Sequence, residues 1–227
     1  GIPPFSERKY CDTHHCLCMC LEIFLPQFSG KLNHGACFFV LKHEYCIILF
    51  FEHQIVPMKV EQIYTGCLAE AAYYIESEGE AVIIDPLRET RPYLEKLKQE
   101  GATLKYIFET HFHADFVSGH VDLAKKTGAT IVYGPNAQTE FEKMDTVDGQ
   151  EIKVGKATFQ VLHTPGHTPE STTYLLRDEQ GKEYAIFTGD TLFIGDVGRP
   201  DLAQKAGSVT KEDLAGWLFD SLRNKIM

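Results

Sequence analysis

Three short polar clusters, each directly following a run of apolar, strand-forming residues, constrain this chain more than any other feature. The first is Thr110-His111-Phe112-His113-Ala114-Asp115-Phe116, after LKYIFE. The second is His163-Thr164-Pro165-Gly166-His167, after KATFQVL, and the third is Gly189-Asp190-Thr191, after EYAIFT. In the first cluster three ligand-type side chains occupy alternating positions, so an extended loop turns them towards one point, and neutral imidazole is a common metal ligand. In the second, Pro165 and Gly166 force a tight turn that holds His167 out from the sheet edge. A single histidine after a strand is ordinarily a surface residue or a satisfied core residue. Three such clusters in succession point to a metal site.

The pattern around the clusters predicts the layers that carry them. VEQIYTG, AAYYIES and EAVIID read as strands, with a helix over Glu89–Glu100 that ends at Gly101. LKYIFET is a strand running into His111, Ser118–Thr127 reads as helical, and ATIVYG returns to a strand. After this the texture changes to DGQEIKVG, KATFQVLHT, ESTTYLLRD and KEYAIFTGD, strands linked by turns. A last helix is expected over Thr210–Asn224, with Leu214, Trp217, Leu218 and Leu222 on its apolar face. Alternating strands and helices followed by antiparallel strands imply an α/β (α+β) domain with two sheets sandwiched between helices.

Composition divides the chain. Six of its seven cysteines (Cys11, Cys16, Cys18, Cys20, Cys37 and Cys46) precede residue 47, and only Cys67 follows. A disulfide scaffold spreads cysteines through its folded region, so residues 58–227 read as a domain from a reducing, cytoplasmic compartment. Residues 1–57 are expected to lie outside the native fold, although CDTHHCLCMC offers zinc-type ligands. The apolar stretch ACFFVLKHEYCIILFF is interrupted at Lys42, His43 and Glu44, short of the ~20 residues a membrane helix needs. A net charge of −10 leaves no basic footprint for nucleic acid or an anionic membrane.

HxHxD, then HTPGHTP, then GDTLF resemble the metallo-β-lactamase superfamily, an αββα sandwich with its metal on one edge of the two sheets. Within it, HADFVSGH and FIGDVGRPDL look like the persulfide dioxygenases, in particular the bacterial form often fused to a rhodanese domain. The resemblance runs from Met58 to the end. It implies that His111, His167 and Asp190 bind one Fe(II), with zinc as the alternative, and that His113, Asp115 and His163 sit beside the metal. Two imidazoles and one carboxylate with open positions also match the facial arrangement of non-haem Fe(II) oxygenases. The reaction implied is oxidation of a glutathione- or coenzyme A-type thiol persulfide by O₂ to sulfite and thiol. Arg199 would contact the carrier's carboxylate or phosphate, or else pair with Asp196 or Asp201. Oligomeric state is left open, a homodimer included.

The nearest rival is a thioesterase of the glyoxalase II kind, with the same fold and two metals. Such dinuclear hydrolases take further ligands from the residue after the aspartate in HxHxDH and from a late histidine. Here that residue is Phe116, and no histidine follows His167. The sequence reading therefore favours one metal and the dioxygenase. The resemblance also implies that the domain stops short of the family's last strand and helix, which leaves an inactive fragment as a further alternative.

Overall fold

The computed structural model describes residues 58–66, 70–204 and 208–227. The expectations for residues 1–57 and for Cys67 fall outside the described residues. β1 (Lys59–Thr65), β2 (Glu70–Ser77) and β3 (Glu80–Ile84) form an antiparallel meander. The turn between β2 and β3 is Glu78-Gly79, both with positive φ (52° and 78°), the conformation that two-residue hairpin loops require. From β3 the chain crosses over through α1 (Arg91–Glu100) to β4 (Thr103–Phe108), then through α2 (His120–Thr127) to β5 (Thr130–Tyr133). These three strands are parallel, and a two-residue β6 (Met144–Asp145) extends the sheet to the order β1-β2-β3-β4-β5-β6.

The second sheet is antiparallel throughout. It contains β7 (Glu151–Val154), β8 (Ala157–His163), β9 (Thr172–Arg177) and β10 (Glu183–Phe187), in the order β10-β9-β8-β7. Alternation along the strands sorts side chains into two cores. Ala81 and Ile83 of β3 face α1 and α2, where they meet Tyr93, Leu97 and Leu123. Val82 and Ile84 face the second sheet and pack with Phe159, Val161, Tyr174 and Leu176. In β4 both Leu104 and Ile107 face the helices, which a strict period of two forbids. A register shift against β3 at Ala81/Val82 absorbs the extra residue and reverses the parity. Phe108 anchors the inter-sheet core, stacked on Tyr174 at 4.5 Å and edge-on to Phe159 at 5.1 Å.

Three helix boundaries depart from the sequence pattern, the first being α1, which begins at Arg91 rather than Glu89. Ser118, the expected start of α2, instead bridges to Leu87, and its hydroxyl donates to Pro86 O (3.0 Å) and Glu109 Oε1 (2.7 Å). Gly119 follows so close to Leu87 that a Cβ would lie 2.3 Å from its carbonyl oxygen, so the helix turns only from His120. The last helix, α3 (Lys211–Ser221), is capped by Thr210 and Asp213, which bond each other's backbone N–H reciprocally. Leu214 and Leu218 are buried, but Trp217, expected on the same face, is 38% exposed. Leu222–Ile226 relax into a π-helical turn. Among the described residues no helix is long and apolar enough to cross a membrane.

Parallel strands put their carboxyl ends on one edge, where ligands bind in open α/β sheets. Asp85 follows β3, and Glu109, Thr110 and His111 follow β4. The turn after β8 and the 3₁₀ turn Gly189–Thr191 after β10 bring the second sheet's residues to meet them.

Candidate metal centre

His111, His167 and Asp190, from three separate strand ends, converge so that one ligand atom from each lies within 4.8 Å of the others. His167 Nε2 is 3.4 Å and His111 Nε2 is 3.9 Å from Asp190 Oδ2, and the two rings stand nearly perpendicular, 5.0 Å apart. These separations suit donors around a shared ion better than hydrogen bonds to one another.

The hydrogen bonds behind the rings settle which nitrogen faces the centre. His167 Nδ1 lies 3.0 Å from the carbonyl oxygen of Arg199, an atom that can only accept, so Nδ1 carries the proton and Nε2 is free. His111 Nδ1 lies 3.0 Å from Thr110 Oγ1. That hydroxyl donates to Asp85 Oδ2 at 2.8 Å, so it accepts from His111 Nδ1–H and again leaves Nε2 free. Burial, with His113 as the next cause, pulls His111 down to about 3, which keeps the imidazole neutral at ordinary pH. Burial pushes the Asp190 carboxyl above its usual range, against the attraction of His167, and a cation is the partner that would hold it ionised. The donor set therefore fits a divalent metal of the kind the fold carries.

The relay through Thr110 yields a prediction. Thr110→Val keeps the shape but removes the acceptor that orients His111, so metal affinity should fall about 10–100-fold, the usual cost of losing a ligand's hydrogen-bond partner. Thr110→Ser should restore most of it. Competition with a chromophoric chelator measures both, and a valine variant that binds metal like wild type would refute the role.

The other residues singled out from sequence take different places. His113 turns away from the centre towards Asp85 and Glu109, with its ring under Phe116 at 4.2 Å. Burial alone would lower His113, but the Asp85 and Glu109 carboxylates outweigh it and raise it to about 9. Asp115 is exposed and lines the cavity over the centre. His163 is not part of the cluster. Its Nε2 lies 3.0 Å from Pro169 O and its backbone N–H donates to Asp148 Oδ1 (2.8 Å), so it braces the HTPGH turn. Arg199 pairs its guanidinium with Asp201 (2.7 and 3.0 Å) in an exposed loop, the alternative left open by the sequence. Its part at the centre comes from its backbone carbonyl.

Two residues at the edge escaped the sequence reading, Asp85 and Glu109. Each closes an apolar strand, the same signal that marked the other clusters. Asp85 also sits at φ 50°, unusual for a non-glycine residue. Its carboxylate is fixed there by the N–H (2.8 Å) and hydroxyl (2.8 Å) of Thr110. The cavity above the centre, about 460 Å³, is walled by Phe112, Ala114, Pro169, Leu202 and Ala203, with Asp115 and Glu170 at its polar side.

The comparisons with known proteins bear on this geometry. The model of the metallo-β-lactamase superfamily matches residues 65–225, and the chain belongs to that superfamily. It is similar to the metallo-β-lactamase from Staphylococcus aureus subsp. aureus COL, with 39% identity, a TM-score of 0.66, and coverage of 73% of this chain and 51% of that one. It is also similar to ETHE1 from Myxococcus xanthus, with 33% identity, a TM-score of 0.64, and coverage of 74% and 70%. Among curated proteins, the hydroxyacylglutathione hydrolase of Tolumonas auensis is 37% identical over 131 residues, 56% of this chain and 48% of that protein. Further curated relatives carry the same name. The chain spans about half the length of the curated relatives it matches.

These names correct the activity expected from the sequence. The relatives are hydrolases, not oxidoreductases, and the expected persulfide dioxygenase, with its persulfide and O₂ substrates, gives way to the hydrolytic alternative. The reason for the misreading is chemical. Two imidazoles and a carboxylate with open positions serve oxygen activation and Lewis-acid hydrolysis alike, and one ion suffices for hydrolysis, so Phe116 did not exclude it.

Proposed function

We propose that this domain carries the metal centre of a thioester hydrolase acting on hydroxyacyl thioesters of a small thiol of the glutathione type. The observation that carries the reading is the convergence of two Nε2-presenting imidazoles and one carboxylate beneath an apolar-walled cavity. The names of the curated relatives support the reaction and its substrate class. The donor set is that of zinc hydrolases with two histidines and a carboxylate, so one zinc at this centre is the reading for the metal, with Fe(II) as the alternative.

A divalent ion held there supplies Lewis acidity, polarising the thioester carbonyl and lowering the pKa of water. The chain's own residues do the rest. Phe112, Pro169 and Leu202 offer an apolar wall for the acyl chain and sulfur and thin out competing water. Asp115, on the same wall, is placed to take the proton from the attacking water. Water's oxygen adds to the carbonyl carbon, the C–S bond breaks, and the thiol leaves with a proton.

Incubating the zinc-loaded full chain with a lactoyl thioester of glutathione tests this. Free thiol should appear at a rate that a chelator abolishes, zinc restores, and His167→Ala lacks. Protein that holds its metal yet releases thiol no faster than buffer would sink the proposal.

A further inference from the structure

Behind the first centre lies a second convergence, made of Asp85, Glu109 and His113. Asp85 ends β3, Glu109 ends β4, and His113 is on the loop beyond. One ligand atom from each falls within 4.8 Å of the others, the same compactness as in the first cluster. Glu109 is wholly buried. Its Oε1 accepts from Ser118, but Oε2 has no hydrogen-bond partner among the described residues. A buried carboxylate oxygen without a partner is costly and calls for an explanation.

The position of His113 sharpens the point. Its Nε2 lies 3.1 Å from Asp85 Oδ1 and 3.6 Å from Glu109 Oε2, yet it has no hydrogen-bond partner among the described residues, so the short contact to Asp85 is misaligned. Donors that approach one another closely without bonding one another are what the first centre also shows. Phe116 lies tilted over the His113 ring at 4.2 Å and keeps it on this side. The His113 and Asp85 side chains are each 8% exposed, while His113 Nε2 and Glu109 Oε2 are themselves buried.

We infer that Asp85 Oδ1, Glu109 Oε2 and His113 Nε2 form a second site for a divalent cation. Two carboxylates and one imidazole select a hard or borderline ion such as Mn²⁺, Fe²⁺ or Zn²⁺. The site is separate from the second-metal position of the dinuclear hydrolases, whose ligand after Asp115 is replaced here by Phe116, and it does not depend on the hydrolase reading. His111 and His113, ring centroids 4.2 Å apart, would form the partition between the two ions.

Mn²⁺ is the probe, because thiolates compete poorly for it and the N-terminal cysteines then do not intrude. The full-length chain is titrated with Mn²⁺ while the free ion is followed by its electron paramagnetic resonance signal. His167→Ala, which removes a donor from the first centre only, should still bind one Mn²⁺. Adding Glu109→Gln, or His113→Gln in its place, should abolish that binding, with circular dichroism confirming that each variant is folded. The inference is overturned if His167→Ala binds no Mn²⁺, or if the retained ion survives His113→Gln. In either case Glu109 and Asp85 simply share a protonated imidazole. Should one double variant fail to fold, the other and the His167→Ala stoichiometry decide between these outcomes.

Discussion

Asp190→Ala should lose metal from the first centre almost completely, with affinity falling by about 10³-fold or more. Removing a neighbour that only orients a ligand costs about 10–100-fold, and removing a ligand costs more. Among the described residues, Asp190 is also the only anion that lies within 4 Å of both free imidazole nitrogens. Without it, an incoming cation meets only the two imidazoles at the centre, with Asp115 and Glu170 left on the polar side of the cavity above. Thioester hydrolysis should fall with metal occupancy, while the fold survives, because the Asp190 side chain is 37% exposed and packs no core. Metal content by mass spectrometry after exhaustive dialysis, alongside a melting curve, reads both quantities. A variant that retains a full equivalent at this centre would show that Asp190 is not a donor.

Gly166→Ala should destabilise the domain by about 2–4 kcal/mol, adding overpacking to the strain of a left-side backbone conformation. Gly166 has φ 149°, and a Cβ there would lie 2.3 Å from Leu218 Cβ, 2.5 Å from its Cα and 2.6 Å from its N. The obstacle is helix backbone, which cannot rotate aside as a side chain can. Helix α3 is held to this turn by the buried Leu218 and by Ser221 Oγ, which donates to Pro165 O at 2.8 Å. Pushing α3 away should therefore displace His167, the next residue, and weaken metal binding together with stability. Denaturant unfolding and a chelator competition on the same sample should show the two losses together. Wild-type stability in the alanine variant would mean that α3 does not dock against the turn.

How far the sequence carried depends on whether information is local or distant. Strand and helix positions were legible because alternation and helical spacing are written within ten residues, as in EAVIID or in the helix ending at Gly101. The start of α2 was not, because Ser118 is held out of the helix by Pro86 and Leu87, far from it in the chain. Trp217 misled for a related reason. Spacing places it beside Leu218, but it is Leu218 and Ser221 that meet the turn, and the indole stays partly in solvent.

The same division runs through the site. By itself, the sequence determined which side chains stand at strand ends, and the family resemblance of those motifs implied His111, His167 and Asp190 as the set that holds a metal. Only the tertiary structure decided where their neighbours face. His113 follows the ligand pattern along the chain, yet it lies between Asp85 and Glu109, because Phe116 covers its ring and two buried carboxylates attract it. The sequence leaves Arg199 between a substrate cation and a partner of Asp196 or Asp201; its guanidinium pairs with Asp201, and it reaches the centre through a backbone carbonyl that no side-chain pattern announces. Spacing along one strand end records which donors are present. Orientation is set by contacts that spacing does not record, with Asp85 at the neighbouring strand end for His113 and the Arg199 carbonyl for His167.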